Sequence, residues 1–409
     1  MRHSRVAVTG LGAVTALGAD VASLAAALAD GRRAIGPLTR FPHAGRCAIA
    51  AQVPELTPEA VDGARARLSA ATGRRLSYPD RLGLAATAQA LRQARLEPGA
   101  RGDVGVYVGA SVGGMGDAEA AYQRRQEGRD ARYRLSRLLP APLSNTAAAL
   151  AQGLGLQGPR ATFSTACSSS ALAIAEAADA IARGRVRQAV AVGTDALCRI
   201  TFSGFDALQA LDARPCRPFA ADRAGLSLGE GAAALVLEDV DVARARGTEP
   251  LAFVLGHGVA TDAHHVTAPH PAGAGARAAL EAALAAAGVS PDAVDYVNAH
   301  GTGTPKNDAI ELAVLRAVLG DRLPRVPVSS TKAQVGHCLA AAGAVEAVVT
   351  VLALAEALVP PTAGLAGVDP EFADLDLVPL PGRRQALDVA VSSSFGFGGH
   401  NVTLVLGRA

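Results

Sequence analysis

The chain has no tryptophan, only nine phenylalanines and five tyrosines, so its 409 residues must pack an interior largely without aromatic rings. Half of the residues are nevertheless apolar, which leaves Ala, Val and Leu to build the core of a large globular protein. Neither charge is in surplus, since 39 Lys and Arg face 37 Asp and Glu. That balance gives no electrostatic footprint for a nucleic acid. Cysteine is scarce: Cys47, Cys167, Cys198, Cys216 and Cys338 are odd in number and irregular in spacing. No CxxC pair or Cys/His cluster has zinc-ligand spacing, so neither a disulfide framework nor a metal site is expected. No apolar leader with a cleavage site precedes Val6, and a reduced cytoplasmic protein is the expectation. The most apolar run, Ala340 to Pro360, is interrupted by Glu346 and Glu356 and predicts a buried helix rather than a membrane span.

A chain of this length exceeds what one core supports, so two packed halves are expected. Short β-branched runs read as buried strands at Val6–Thr9, Val104–Val108, Ala189–Val192, Ala233–Leu237, Ala252–His257 and Tyr296–Asn298, with further pieces at Val328, Val391 and Val402–Leu406. Between them, Val21–Asp30, Asp80–Ala94, Ser168–Arg183, Ala274–Ala287 and Ile310–Leu319 carry helical periodicity. Such alternation predicts a layered α/β architecture. The charged stretch Glu238–Glu249 breaks the apolar pattern and is the candidate junction, dividing the chain into 1–248 and 249–409. Six arginines (124, 125, 129, 132, 134 and 137) crowd one segment, a solvated face or a dock for an acidic partner.

Four segments carry chemistry. In Ser164-Thr-Ala-Cys167-Ser-Ser-Ser170, small residues surround a cysteine where a strand turns into a helix, a place where N–H groups and the helix dipole favour a thiolate. In Asn298-Ala-His-Gly-Thr-Gly-Thr-Pro-Lys-Asn-Asp308, His300 ends a strand and enters a loop that lets backbone approach a ligand. In the run from Ser329 to Glu346, Lys332 and His337 lie at the start of an apolar helix. The helix N-terminus disfavours imidazolium at His337, and Glu346 needs a partner that Lys332 can supply. Near the end, Phe395-Gly-Phe397-Gly-Gly reads as a loop with bulky side chains on a pliant backbone. Each segment alone also fits a bland reading: an inert buried thiol, a hydrogen-bonded histidine, a helix cap, a turn packed under its phenylalanines.

Together and in this order, the four segments resemble the β-ketoacyl synthases, the elongating condensing enzymes of fatty-acid and polyketide synthesis. Val8-Thr-Gly-Leu-Gly-Ala-Val-Thr, Gly109-Ala-Ser-Val-Gly-Gly-Met, Gly158-Pro, Pro218-Phe-Ala-Ala-Asp-Arg-Ala-Gly, Gly229-Glu-Gly-Ala-Ala and Asp262-Ala-His-His-Val-Thr-Ala-Pro extend the likeness over the chain. The resemblance implies a thiolase fold, two similar halves in a five-layered α-β-α-β-α sandwich, normally a homodimer. It implies Cys167 as nucleophile and His300 and His337 for malonyl decarboxylation. Lys332 and Glu346 would support the site, with Asp308 in an organising role. The N–H groups of Cys167 and Phe397 would form an oxyanion hole. Thr302 and Thr304 would contact the phosphopantetheine arm, Phe397 would gate the site beside Phe395, and Val112 would line the acyl pocket. No metal or redox cofactor is implied. The partner would be an acidic acyl carrier protein, which favours docking at the arginine run.

Lys306 departs from the family by standing at a usually apolar place, Ala340 at a common glycine, and Ala16 at a frequent proline; these hint at a specialised synthase. A thiolase would carry a second cysteine where Phe395-Gly-Phe397 stands, and an initiating synthase would carry asparagine in place of His337. A chain-length partner subunit would lack Cys167. The remaining alternative is the active half of a heterodimer with such a cysteine-less partner.

Overall fold

The computed structural model describes residues 5–56, 68, 76–97, 102–129 and 138–409. Its backbone is a ten-stranded sheet. The strands are β1 (Val6–Thr15), β2 (Gly105–Gly109), β3 (Arg160–Phe163), β4 (Gln188–Asp195), β5 (Gly231–Asp239), β6 (Ala252–Thr261), β7 (Tyr296–Asn298), β8 (Val328–Ser329), β9 (Val389–Gly396) and β10 (His400–Arg408). Their order is β8-β7-β9-β10-β6-β1-β5-β4-β2-β3.

This order contains the same pattern twice. In β1–β5, strand three pairs parallel with two, two with four, and then four, five and one follow antiparallel. Strands β6–β10 repeat each pairing and each direction. The two five-stranded units meet where Val6–Val8 of β1 pair with Ala252–Val254 of β6.

Helices cover both faces of each unit. They include α1 (Tyr78–Gln93), α2 (Ser169–Ala182), α3 (Ala274–Ala287), α4 (Pro305–Leu319) and α5 (Ala342–Glu356). Helix α1 packs on β1 and β5, and α3 packs on β6 and β10. Between the units, α2 and α5 pack on each other and on strands from both. The result is the expected α-β-α-β-α layering. The central core runs from Ile174, Ala178 and Ile181 to Val345, Val348 and Leu354. The stretch Leu339–Glu356 has the length and apolarity to cross a membrane, yet it lies mostly buried in this middle layer.

Every strand and helix expected from the pattern is present; Ala274–Ala287 and Tyr296–Asn298 keep their expected ends, and the others are shifted. Helix α4 begins at Pro305, five residues before Ile310, because proline suits the first helical position and Asp308 favours the first turn. The charged stretch Glu238–Glu249 is no open linker. Glu238 and Asp239 complete β5, and Val240–Ala245 forms a short helix. Glu238 is fully buried and accepts hydrogen bonds from Thr9, Gln188 and Arg246.

Glycines let the outer helices lie directly on their strands, and they do so in register in both units. A Cβ on Gly12 would fall 1.8 Å from the Ala86 carbonyl of α1, and one on Gly258 would fall 2.0 Å from the Ala279 carbonyl of α3. Gly12→Ala and Gly258→Ala are each expected to cost about 1–3 kcal/mol or more by overpacking. Gly204, with nothing within 4 Å of its Cβ position, should accept alanine without loss. Thermal denaturation of the three variants checks this; equal midpoints would sink the packing argument.

Candidate active site

The cysteine segment folds as the sequence predicts, into a turn between β3 and α2. Ala166 takes a left-handed conformation (φ 51°) before Cys167. Serine hydroxyls hold the turn: Ser168 Oγ donates to the Thr165 carbonyl at 2.9 Å, and Ser169 Oγ to the Ala166 carbonyl at 2.6 Å. Cys167 is buried and lines a cavity of about 440 Å³. His300, His337, Thr302, Thr304, Phe395 and Phe397 line the same cavity.

His300 ends the backbone run after β7. Its N–H and that of Gly301 donate to the two carboxylate oxygens of Glu311, at 2.7 and 2.8 Å. Asp308 holds the next stretch, accepting from Gly303 N at 3.2 Å and from Phe219 N at 2.9 Å. Thr302 and Thr304 therefore sit on a loop pinned by two buried carboxylates of one helix, their hydroxyls 2.9 Å apart. Burial pushes Glu311 up to about 7 against the pull of those two N–H groups. Nothing in the notional loop chemistry singled out Glu311; its place one turn after Asp308 in α4 was the available signal.

Lys332 Nζ has three acceptors for its three protons: the Glu346 carboxylate, the His300 carbonyl, and His300 Nδ1 at 3.3 Å. Both members of the ion pair are almost fully buried. An ammonium can only donate, so His300 Nδ1 is an acceptor and its proton sits on Nε2. The same logic fixes His337, whose Nδ1 accepts from Leu339 N at 3.0 Å. The two rings stand 5.5 Å apart at 87°. Burial first, and Lys332 second, lower the His337 pKa to about 3 and hold His300 well below its ordinary value. Burial rather than a helix N-terminus is thus the main reason that His337 is neutral. The arrangement presents two neutral Nε2–H donors to one cavity.

Cys167 differs from the expectation of a resting thiolate. Burial pushes its thiol up to about 11, outweighing Lys332 and the Phe397 N–H, which pull it down. All five cysteines are buried and free.

The glycine-aromatic segment is a tight hairpin, not an open loop. Phe395 and Gly396 belong to β9, which turns through Phe397–Gly399 into β10. Phe395 packs against His300 with centroids 5.5 Å apart. Phe397 is half-buried and stacks on Phe205 at 5.4 Å, an aromatic partner that lies far off in sequence. Gly398 N donates to the Val266 carbonyl at 2.7 Å, tying this turn to the segment after Asp262.

The remaining expected positions lie at the edge of this cavity or outside it. Lys306 is exposed at the edge of the Cys167 cavity. Val112 lines a second hollow, of about 930 Å³, with Arg40, Tyr78, Met115 and Ile200. Arg124 and Arg125 end the helix Met115–Gln126 and Arg129 pairs with Glu127, whereas Arg132, Arg134 and Arg137 lie outside the described residues.

Two outcomes follow from this geometry. Alkylation of Cys167, followed by peptide mass, is expected to rise about tenfold per pH unit from 7 to 9 as the thiolate fraction grows; a plateau by pH 8 contradicts the burial argument. Lys332→Met strands the Glu346 carboxylate and should cost about 3–5 kcal/mol in denaturant unfolding. Adding Glu346→Leu should recover most of that stability without recovering catalysis, because His300 still lacks its Nδ1 donor.

Known proteins match along the whole chain. The sequence model of the β-ketoacyl synthase N-terminal domain covers residues 3–243, and that of the C-terminal domain covers 251–366. A 3-oxoacyl-[acyl-carrier-protein] synthase 2 of Synechocystis sp. is 37% identical, over 99% of this chain and 98% of that protein. Nodulation protein E of Rhizobium meliloti is 39% identical over 98% of each. Among solved structures, the ishigamide ketosynthase/chain length factor superposes with a TM-score of 0.92 at 30% identity over 100% of both chains. With two matching family domains and this fold, the chain belongs to the β-ketoacyl synthases, condensing acyltransferases of the thiolase fold.

Proposed function

We propose that this synthase elongates acyl chains by decarboxylative condensation with malonyl carrier protein, using Cys167, His300 and His337 as its catalytic groups. The observation that carries this reading is the pair of neutral Nε2–H imidazoles facing the same cavity as a buried thiol. In the first step the Cys167 sulfur attacks the thioester of an acyl carrier protein. The thiol proton leaves with the displaced phosphopantetheine sulfur, and the acyl group stays on Cys167. The N–H groups of Cys167 and Phe397 receive the oxyanion of that transfer. In the second step malonyl carrier protein loses carbon dioxide, and the His300 and His337 donors stabilise the enolate oxygen. The enolate carbon then attacks the acyl carbonyl. The carbon–carbon bond forms, the C–S bond breaks, and the departing Cys167 thiolate takes up one proton from solvent, the proton that the overall decarboxylation consumes.

Thr302 and Thr304 hold the phosphopantetheine arm, Phe397 gates its entry against Phe205, and Phe395 backs His300. Lys332, anchored by Glu346, keeps His300 in its donor tautomer, while Asp308 orders the arm-binding loop. Val112 belongs to the acyl end, in the hollow that a second subunit completes. Residues 1–248 and 249–409 form the two halves, and the enzyme works in the cytoplasm as a dimer. The acidic carrier protein docks at Arg124, Arg125 and Arg129. Greater identity to 3-oxoacyl-[acyl-carrier-protein] synthase 2 than to the ketosynthase/chain length factor favours an elongating synthase that pairs with its own kind over the active half of a heterodimer with a cysteine-less partner.

The test is incubation with a panel of acyl carrier thioesters and malonyl carrier protein, with products read by mass. Elongation by one two-carbon unit per cycle is expected. Cys167→Ala should end loading and elongation, and His337→Ala should keep loading but lower decarboxylation by about a hundredfold or more. Elongation by Cys167→Ala at the parent rate would overturn the assignment.

A further inference from the structure

The repeated topology repeats the active turn as well. In the first unit, left-handed Ala166 opens the short 3-10 turn Ala166–Ser168, which leads into α2. In the second, left-handed Leu339 (φ 53°) opens the 3-10 turn Leu339–Ala341, which leads into α5. Ala340 is thus the counterpart of Cys167. The fourth strands correspond too: β4 and β9 each run eight residues beside their fifth strand, so Asp195, the last residue of β4, is the counterpart of Gly396.

The two turns cross over between units. Gly396 lies against Cys167: a Cβ there would be 3.3 Å from Cys167 N and 2.5 Å from the Thr165 carbonyl. With no side chain at Gly396, the Cys167 N–H stays open to the cavity side. In the other copy the matching N–H is taken. Ala340 N donates to the Asp195 carboxylate at 3.0 Å. The same carboxylate accepts from Val112 N at 2.9 Å, from Ser111 N at 3.2 Å and from the Ser111 hydroxyl. Asp195 is fully buried and, among the described residues, has no salt bridge. Three backbone amides and a hydroxyl converging on one carboxylate make an anion site of the kind that stabilises an oxyanion.

We propose that Asp195 is a positioning residue for condensation, a resident anion in the silent copy of the oxyanion hole, while Gly396 keeps the working copy empty for substrate. The route to the chemistry is short. Asp195 fixes the amide of Ala340, and the preceding amide, Leu339 N–H, is the donor that sets the tautomer of His337. The same carboxylate fixes Ser111 and Val112, so the His337 turn and the wall of the second hollow are held by one group. This inference rests on the condensation reading above, and it concerns the decarboxylation half-reaction rather than the loading of Cys167.

The experiment separates the half-reactions in the full-length enzyme. Loading is followed by the mass of Cys167 after mixing with an acyl carrier thioester, and decarboxylation by carbon dioxide released from malonyl carrier protein. Asp195→Ala is expected to load close to the parent rate and to lose about 10- to 100-fold in the decarboxylation rate constant through misplacement of His337. The KM for malonyl carrier protein should hardly move. Formate, the carboxylate that the variant lacks, should restore part of the rate saturably in Asp195→Ala and not in His337→Ala. Asp195→Asn keeps the shape but must turn an amide donor toward at least one N–H, so it too should decarboxylate slowly, and it serves where the alanine variant does not fold. Gly396→Ala, whose Cβ would press on the Thr165 carbonyl, should lose some stability, remain folded by circular dichroism, and fail to load Cys167. Equal loss of both half-reactions in Asp195→Ala with no formate response, parent-like decarboxylation by Asp195→Asn, or normal loading by Gly396→Ala overturns the proposal. A parent enzyme that never elongates would instead remove the function on which it rests.

Discussion

The site depends on one buried ammonium. Lys332 is enclosed by protein, and a charge so placed is tolerable only when its partners are complete. Glu346 supplies the countercharge from the first turns of α5, and the backbone and ring of His300 supply the other two acceptors. This single group joins the histidine after β7 to the helix that follows His337. Its fixed positive charge also adds to burial, the larger cause, in keeping both rings neutral. The neutral donors and the buried pair are one arrangement described from two sides.

Duplication explains where that arrangement sits. Two units with the same strand order place their strand-to-helix turns at the same end of the central layer, where α2 and α5 meet. The small residues there allow close approach: Ser170 Oγ accepts from Ala344 N at 2.9 Å, and Gly343 lies against Ala171. Cys167 from the first unit and His300 and His337 from the second can then share a cavity without either unit deforming. The same symmetry creates two equivalent amide sites, and chemistry needs only one. A glycine at one position and an aspartate at its counterpart make the copies different.

How much of this was legible in the sequence depends on range. Strands and helices showed in the apolar periodicity because burial on two faces forces it, as in Val6–Thr9 and Ala189–Val192. The Lys332–Glu346 pair was legible because a carboxylate in an apolar helix demands a partner. Long-range contacts left no such mark. Phe205 meets Phe397 from a helix nearly two hundred positions away, and Glu311 caps His300 from within an apolar stretch that reads as ordinary helix. Asp195 lies three residues beyond the apolar run Ala189–Val192, and only the folded amides around it show why a charge sits there. The hairpin at Phe395–Gly399 was read as a loop because glycine and aromatics obscure the strand alternation that β9 and β10 continue through it.

In the proposed reaction, burial also decides the order of events. The same exclusion of water pushes the Cys167 thiol up to about 11 and the His337 imidazolium down to about 3. At neutral pH the cavity therefore rests with a neutral thiol and two neutral rings. Charge enters with the substrate, first as the sulfur gives up its proton and then as the malonyl carboxylate departs. Donors that are already neutral and already fixed need no reorganisation when the enolate forms, and little water is at hand to protonate its carbon. A solvated site would hold a larger thiolate fraction at rest and expose the carbanion to protonation. Keeping the thiol quiet until an acyl thioester arrives is the physical consequence of protecting the second step.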